Sequence, residues 1–513
     1  MSRPPRKVTQ HADAAREVEL KLLLEPDAIP ILRSLPIIGE ALAKAKPEKL
    51  AAIYYDTSDR RLEKAGLTLR LRGEAKEYTL TVKARESASI DRGEWEKPVR
   101  TGRLALRDIA ASPAASVLGK TARDLQPLFS TTVERSKALV DYESATIELA
   151  LDRGTITAGE RALPVSELEL ELKAGERAGL IALARELSGL APLRLSFIAK
   201  SERGERLRAG TWGKPQRATT PELSADMSAL AGFLTIASTC LHDFMLNEAA
   251  IGNRDDIEGV HQARIAIRRL RAAFALFAPR IKDPRTEQLG GELKWLSDLL
   301  GGARDCDVMM SEFSIDPKSP AGKAIAGHRA VAHEALAEGL ASRRMRLLLI
   351  DLAGALDLAS WDATQAKLLA APVRAVAGEL LARRLQKLLK RARHLGRLDA
   401  HERHRVRIAA KKLRYMGEFF ETLLPDGPAR KRHETLIREL EKVQKGLGLL
   451  QDEVTLRRLL AELVGAAEAE RLAAAWPVDR KSELRKAVRA MARLRQVKPF
   501  WLKWQKEQKD NQE

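Results

Sequence analysis

EVELKLLL at 17–24 and SELELELK at 166–173 decide the first half of this chain. In an extended strand, residues two apart share a face. Glu17, Glu19 and Lys21 therefore stand on one side of the first run, and Val18, Leu20 and Leu22 on the other. Glu167, Glu169, Glu171 and Lys173 align in the same way. Outward from these two runs, LTLRLRG (67–73), YTLTVKA (78–84) and TIELALD (146–152) repeat the alternation, aligning Arg70 with Arg72 and Glu148 with Asp152; Arg92, Glu94 and Glu96 share a face in the same manner. Period-two alternation with turn residues between the runs reads as antiparallel strands. One strand with a charged side is an ordinary solvated face. Several with like charges side by side call for another cause, because neighbouring carboxylates repel. A divalent cation reconciles them, since hard cations take carboxylate oxygens, and the interleaved Arg and Lys suit the anion that such a cation also touches. A closed barrel fits the pattern, with helices such as 26–34 and 175–188 outside and the charged face lining the lumen.

Near position 212 the composition changes. The rest of the chain is rich in Ala, Leu, Arg, Lys and Glu, with apolar residues at helical spacing, which reads as a bundle of helices. The stretch Gly210-Thr211-Trp212-Gly213-Lys214-Pro215, followed by Thr219-Thr220-Pro221, reads as a linker. One basic helix is written twice. HQARIAIRRLR (261–271) and HRVRIAAKKLR (404–414) carry His261, Arg264, Arg268 and Arg271, then His404, Arg407, Lys411 and Arg414, at the spacing i, i+3, i+7, i+10. At 3.6 residues per turn each set falls on one face. LGGARDCDV (300–308) and LGLLQDEV (447–454) echo each other about forty residues downstream, so the repeated unit is longer than one helix. Two helical bundles related by a pseudo-two-fold axis are the expectation. A basic helical face is usually solvated, and its like charges weaken the helix modestly. Writing it twice with a leading histidine points to a ligand that neutralises it. No HExxH or Cys-based metal motif accompanies these histidines, so they read as phosphate hydrogen-bonders. Asp305 and Asp452 would hold the basic side chains or cap local helices. Further basic clusters sit at 343–346, 383–394 and 430–432.

The 513 residues exceed one ordinary core. Lys plus Arg is 89 against 70 for Asp plus Glu, a net +19, so an anionic partner is expected. Residues 1–212 hold 36 basic and 31 acidic residues, hence +5, and the remainder 53 and 39, hence +14. Aromatics at 4% argue against base-stacking platforms, and no nucleic-acid motif is present. Cys240 and Cys306 alone exclude a disulfide framework. No apolar run approaches the roughly 20 residues of a membrane span. The N-terminal MSRPPRKVTQHADAAR lacks the apolar segment of a signal peptide. The expected compartment is the cytoplasm, with association with polyphosphate granules open; no membrane is expected, nucleic acid is disfavoured, and no protein partner is inferable.

The first half resembles the CYTH domain, the triphosphate tunnel metalloenzymes. The resemblance is carried by Glu17-x-Glu19-x-Lys21, then in order YYDTSDRRLEKAGLTLRLR (54–72), TVK ending at Lys83, RGEWEKPV (92–99), ERSK (134–137), SELELELKAG (166–175) and AKSERG (199–204). It implies an eight-stranded antiparallel tunnel that takes triphosphate substrates with Mg²⁺ or Mn²⁺. Carried over residue by residue, it implies metal-site carboxylates at Glu17, Glu19, Glu169 and Glu171, and it leaves open which two of Glu167, Glu169 and Glu171 meet the metal. Lys21, Arg70, Arg72, Lys83, Arg135 and Lys200 would contact phosphate oxygens, and Glu94 and Glu96 would line the acidic side. Asp152 is a further member whose spacing varies, and Arg92 is either a phosphate ligand or a partner of Glu94. The second half resembles the CHAD domain, the conserved histidine α-helical domain, which implies paired four-helix bundles and binding of inorganic polyphosphate by the duplicated face.

The expectation is thus an α+β protein of two domains: a tail over 1–13 that is disordered, a CYTH-like tunnel over 14–212, a linker over 213–221, a CHAD-like all-α region over 222–505 and a tail over 506–513. The expected activity is metal-dependent hydrolysis of inorganic triphosphate to diphosphate and phosphate, beside a polyphosphate-binding module. The alternatives are an enzyme for thiamine triphosphate or another organic triphosphate, including cyclisation of ATP, and a non-catalytic polyphosphate-binding adaptor. The full acidic set favours catalysis, since a mere anion binder gains nothing from so many carboxylates.

Overall fold

The computed structural model describes residues 15–25, 27–74, 77–84, 91–252, 257–278, 281, 284–312, 316, 318–357, 367, 370–474, 479–502 and 504. The expected tails at 1–13 and 506–513 lie outside these residues, as does the side chain of Arg92. By internal contacts the chain forms two compact units. One gathers Met1–Pro215, Met245–Gly252 and Ala341–Ser360, and the other Gln216–Phe244, Asn253–Leu340 and Trp361–Glu513.

The first unit is built on nine antiparallel strands. They are β1 (Ala15–Leu24), β2 (Pro47–Asp56), β3 (Leu67–Glu74), β4 (Glu77–Ala84), β5 (Asp91–Val99), β6 (Gln126–Tyr142), β7 (Ala145–Ala158), β8 (Arg161–Gly175) and β9 (Leu193–Leu195). Their order is β5-β4-β3-β2-β6-β7-β8-β1-β9, and β5 pairs again with β1, so the curled sheet returns on itself. The expected count was eight. The ninth strand is three residues long and lies on the end of β1 that β5 leaves free, with Leu22 opposite Leu195.

Outward-facing apolar residues bury against helices. Leu20 and Leu22 of β1 and Leu168 and Leu170 of β8 are buried, as are Leu180, Leu183 and Leu187 of the helix Arg177–Leu190. Around β2 and β6, Leu50, Tyr54, Phe129 and Val133 pack with Leu207 of the helix Lys200–Ala209. Gly204 permits that approach, because a Cβ there would lie 2.2 Å from the Phe129 ring. At Gly154 a Cβ would lie 2.0 Å from the Thr132 carbonyl oxygen, so only glycine lets β7 cross β6 this closely.

The helix Arg343–Leu356, which reads in sequence as part of the helical half, belongs to this unit. Arg343 Nε donates to the Gly189 carbonyl at 3.1 Å and Arg346 Nε to that of Ser188 at 2.9 Å. These cations cap the C-terminus of Arg177–Leu190, where a helix leaves its carbonyls unpaired. Arg177 and Arg185 reach back to Asp357 at 3.0 Å and Asp351 at 2.8 Å. The basic cluster at 343–346 is therefore at least half committed to capping.

In the second unit each basic helix packs on the long helix that follows it: Ile257–Phe277 on Pro284–Glu312, and Ala400–Phe419 on Pro428–Val464. The two basic helices also touch each other, and Val373–Arg391 packs on Ala400–Phe419. The capping box of Asp399 and Glu402 starts the second basic helix. One apolar stretch is longer than the sequence pattern suggests. The helix Ala229–Ile251 has the length and mean hydropathy (1.4) of a membrane span, yet 83% of that window is buried inside the protein. It also buries Asp243 and Asn247, which suits a protein core rather than lipid.

Candidate functional site

Register brings the charged face together. Glu19 lies opposite Glu171 and Lys21 opposite Glu169 across β1 and β8. Asp152 lies opposite Glu167, and Glu148 opposite Glu171, across β7 and β8. Arg135 faces Asp152 from β6. On the other side, Lys83 of β4 lies opposite Glu94 of β5, and Thr81 opposite both Glu96 of β5 and Arg70 of β3. All ten sequence-predicted catalytic residues fall on strands of this sheet except Lys200, which the helix Lys200–Ala209 supplies at its first position.

The side chains form three linked groups. In the first, Arg135 grips Asp152 with two hydrogen bonds of 2.6 Å and Glu169 with one of 2.5 Å. Lys200 pairs with Asp152 at 2.6 Å, with Glu169 at 2.9 Å and with Glu167, and Arg203 pairs with Glu167. Lys21 lies 3.2 Å from Glu169 and 3.8 Å from Glu19. Asp152 and Glu167 are fully buried and Arg203 is 4% exposed. Burial would raise the Glu169 carboxyl, but Lys200, Lys21 and Arg135 hold it well below the usual carboxylate range. Burial opposes the charge of Arg135 and Lys200 as well; the carboxylates beside them nevertheless hold both above their ordinary values.

In the second group Lys83 lies 2.8 Å from Glu94 and 3.1 Å from Glu17. Arg70 lies 3.5 Å from Glu94 and 3.7 Å from Glu96, and Arg72 3.5 Å from Glu96, whose carboxylate also accepts from Thr81 at 2.9 Å. Burial and the hydrogen bond with Glu17 push Glu94 up to about 8, so this pair shares a proton near neutral pH. In the third group Lys173 pairs with Glu171 at 2.6 Å and Glu148 at 3.7 Å, and Lys137 with Glu148 at 3.3 Å. Glu171 is raised by burial and by the neighbouring Glu17 and Glu148.

These groups differ as cation sites. Oxygens of Asp152, Glu167 and Glu169 all lie within 4.8 Å of one another. Arg135, Lys200, Arg203 and Lys21 already outnumber those three carboxylates. Glu17, Glu94, Glu148 and Glu171 are instead crowded enough that burial and mutual repulsion raise two of them. Among the described residues only Asp152, Glu167 and Glu169 bring three carboxylates that close together, so the oxygens of this second set are more widely spaced. Sequence reasoning gave no role to Arg203, although it lies three residues after Lys200 and so on the same helical face. It also passed over Thr81 and the Lys173 bridge.

In the helical unit the two basic arrays meet. Arg264 reaches Asp305 at 3.7 Å and Arg407 reaches Asp452 at 3.4 Å. Each guanidinium passes over a glycine of the following helix: a Cβ on Gly301 would lie 3.7 Å from Arg264 Nε, and one on Gly448 3.5 Å from Arg407 Nε. Among the described residues no carboxylate pairs with Arg268 or Lys411. Burial, then Arg268, Arg407, Arg264 and Arg414, push the Lys411 ammonium down to about 6. Burial with Arg264, Arg407 and Arg271 nearby pushes Arg268 down to about 10, against the pull of Tyr415. His261 and His404 are lowered by burial and then by Arg304 and Arg407 respectively, which favours neutral rings able to donate and accept.

Comparison with known proteins gives this arrangement its family. Residues 15–204 match the CYTH domain and residues 235–461 the CHAD domain. The chain carries a CYTH domain followed by a CHAD domain. Over 199 residues it is 31% identical to an inorganic triphosphatase of Haemophilus influenzae, a stretch covering 37% of this chain and 54% of that protein. The chain thus matches about half the length of that relative. Among solved structures, a CHAD domain from the plant Ricinus communis is 30% identical, covering 55% of this chain and 96% of that one, with a TM-score of 0.44. A Hippeastrum protein described as a putative adenylyl cyclase that reveals a dominant triphosphatase activity is 20% identical, covering 38% and 96%, with a TM-score of 0.27.

Proposed function

We propose that the CYTH domain hydrolyses inorganic triphosphate to diphosphate and phosphate with a divalent cation, Mg²⁺ or Mn²⁺, and that the CHAD domain binds inorganic polyphosphate. The observation that carries the first part is the convergence of Lys21, Arg70, Arg72, Lys83, Arg135 and Lys200 on one enclosed face that also holds a crowded carboxylate end. Glu17, Glu19 and Glu171 would hold the metal, with Glu148 beside them; Glu169 could join only by releasing a cation. A bound divalent cation supplies charge neutralisation to the phosphate oxygens.

This chain's own residues do the rest. Arg70, Arg72 and Lys83 hold non-bridging oxygens of the substrate and exchange their carboxylate partners for it. Arg135 and Lys200 stay oriented by Asp152, Glu167 and Glu169, so they meet charge developing on the transferred and leaving phosphoryl groups without reorganising. Water attacks the terminal phosphorus, the bridging P–O bond breaks, and diphosphate departs. The enclosed face limits bulk water around these contacts, which strengthens them.

The test is phosphate release from inorganic triphosphate, thiamine triphosphate and ATP, each with Mg²⁺, with Mn²⁺ and with excess EDTA. The reading expects the inorganic substrate to be preferred and EDTA to abolish turnover. Full turnover in EDTA removes the metal from the reaction, and preference for an organic triphosphate replaces the substrate.

A further inference from the structure

The two basic helices are near copies in sequence, but their far ends differ. Arg414, which ends the second array, is neutralised: its Nη1 donates to Glu418 at 2.7 Å and lies 3.4 Å from Glu441, and its Nε donates to Gln444 at 3.2 Å. Arg271 holds the corresponding place in the first array and has no ion pair among the described residues. Its surroundings are basic. The Lys412 ammonium is lowered by burial and then by Arg384, Arg271, Lys387 and Arg391, so these five cations lie within electrostatic reach of one another. Arg384 also anchors the neighbouring helix, its Nη2 donating to the carbonyl of Ala275 on the first basic helix at 2.7 Å. Beyond it the helix Val373–Arg391 presents an open face carrying Arg383, Gln386, Lys387, Lys390 and Arg391, the first four of them exposed. Of these cations, Arg383 alone has an ion pair among the described residues, to Glu379 at 2.6 Å.

Unpaired like charges on adjoining helices repel, and the repulsion is relieved by a polyanion that lies across both. We propose that the polyanion site of the CHAD domain is one-sided: a bound linear polyphosphate leaves the duplicated face past Arg271 and Lys412 and continues onto the Lys387–Arg391 face, while the Arg414 end is closed to it. This rests on the polyphosphate reading above and assigns that ligand a direction and a second subsite. The consequence is chain-length selectivity. At a rise of about 1.5 Å per residue, Arg264 to Arg271 spans roughly 10 Å, and Arg384 to Arg391 roughly another 10 Å. A short chain occupies the duplicated face alone, and a long chain engages both faces and gains effective concentration.

The experiment titrates the full chain, carrying Arg70→Ala, Arg72→Ala and Lys83→Ala to silence the triphosphate site and held in EDTA to suppress turnover, with a short linear polyphosphate spanning about 10 Å and a long one exceeding the roughly 20 Å of the two faces together. The double variant Lys387→Glu with Arg391→Glu is expected to weaken the long chain about tenfold or more and to leave the short chain within about twofold. Its salt slope for the long chain should fall by about two, on the analogy of counterion release from nucleic acids. Arg268→Glu with Lys411→Glu should weaken both lengths. Should the charge reversal disturb folding, Lys387→Gln with Arg391→Gln carries the same comparison with a smaller loss. Unchanged binding of the long chain, or equal loss for both lengths, overturns the second subsite while leaving the polyphosphate reading standing. A wild-type protein that binds neither length refutes the polyphosphate reading itself.

Discussion

The two domains treat positive charge in opposite ways. In the CYTH domain nearly every cation of the site already has a carboxylate within about hydrogen-bonding reach, and the most buried ones, Lys21 and Arg203, are tied to Glu169 and to fully buried Glu167. In the CHAD domain Arg268 and Lys411 face other cations, and burial pushes both toward their neutral forms. A pre-paired site keeps its groups fixed while a substrate is exchanged, which suits turnover. An unpaired one is held ready for a ligand that brings the missing charge, which suits binding. Removing a charge should therefore have opposite consequences in the two places.

The largest effect is expected at Arg203. Arg203→Met strands the buried Glu167 carboxylate beside Lys200 alone and should destabilise the CYTH domain by about 3–5 kcal/mol, the usual cost of breaking a buried pair from one side. Denaturant melts read by probes in each domain check this, and an unshifted CYTH transition removes the idea that this pair is structural. At the crowded carboxylate end the penalty should fall on turnover instead. Glu17→Gln or Glu19→Gln should lower kcat by about two orders of magnitude, the scale of losing one electrostatic stabiliser, with the fold retained. A smaller change is expected at the phosphate-holding cations. Arg70→Ala, Arg72→Ala and Lys83→Ala together should raise KM, with kcat falling as well if they also meet the transferred phosphoryl group. Steady-state constants near wild type for the triple variant would reduce these strands to an ordinary charged face.

How far the sequence carried each part follows from the range of the forces involved. Period-two alternation is local, so the charged face of β1, β3, β4, β7 and β8 was readable, and so was the doubled basic helix. The strand β9 was not, because three residues, Leu193–Leu195, cannot display a period. The adherence of Arg343–Leu356 to the CYTH domain was hidden as well, since a helix in a helical stretch carries no local mark of the carbonyls at Ser188 and Gly189 that it caps. Alternation also says which side a carboxylate takes but not how deep it lies. Glu167, Glu169 and Glu171 look equivalent in SELELELK, yet the first is sealed against Lys200 and Arg203, the second is gripped by Arg135, Lys200 and Lys21, and the third stands with Lys173 near Glu17 and Glu148. The length of the apolar helix Ala229–Ile251 is masked in sequence because His242 and Asp243 break the apolar run without lowering its mean hydropathy below that of a span.

The finest test of the contrast is a pH dependence confined to the CHAD domain. Lys411 has an ordinary value of 10.5 and is lowered to about 6 in the folded protein. Between those two values the unfolded chain carries a proton that the folded chain lacks, so stability rises with pH across this window. Below about 6 the ammonium is charged in both states and its full repulsion from Arg268, Arg407 and Arg264 is felt; above 10.5 the difference is gone. Lys411→Met should flatten the slope of stability against pH between 6 and 10 and leave the CYTH transition unmoved. A bound polyanion reverses the preference, because its oxygens stabilise the ammonium. Long-chain polyphosphate added at pH 8 should therefore be bound with uptake of up to about one proton per CHAD domain. Calorimetric titration in buffers of different ionisation enthalpy measures that number. An uptake of zero in the wild type, or the same uptake in Lys411→Met, would mean that Lys411 is charged before the ligand arrives and that the face is less frustrated than its geometry implies.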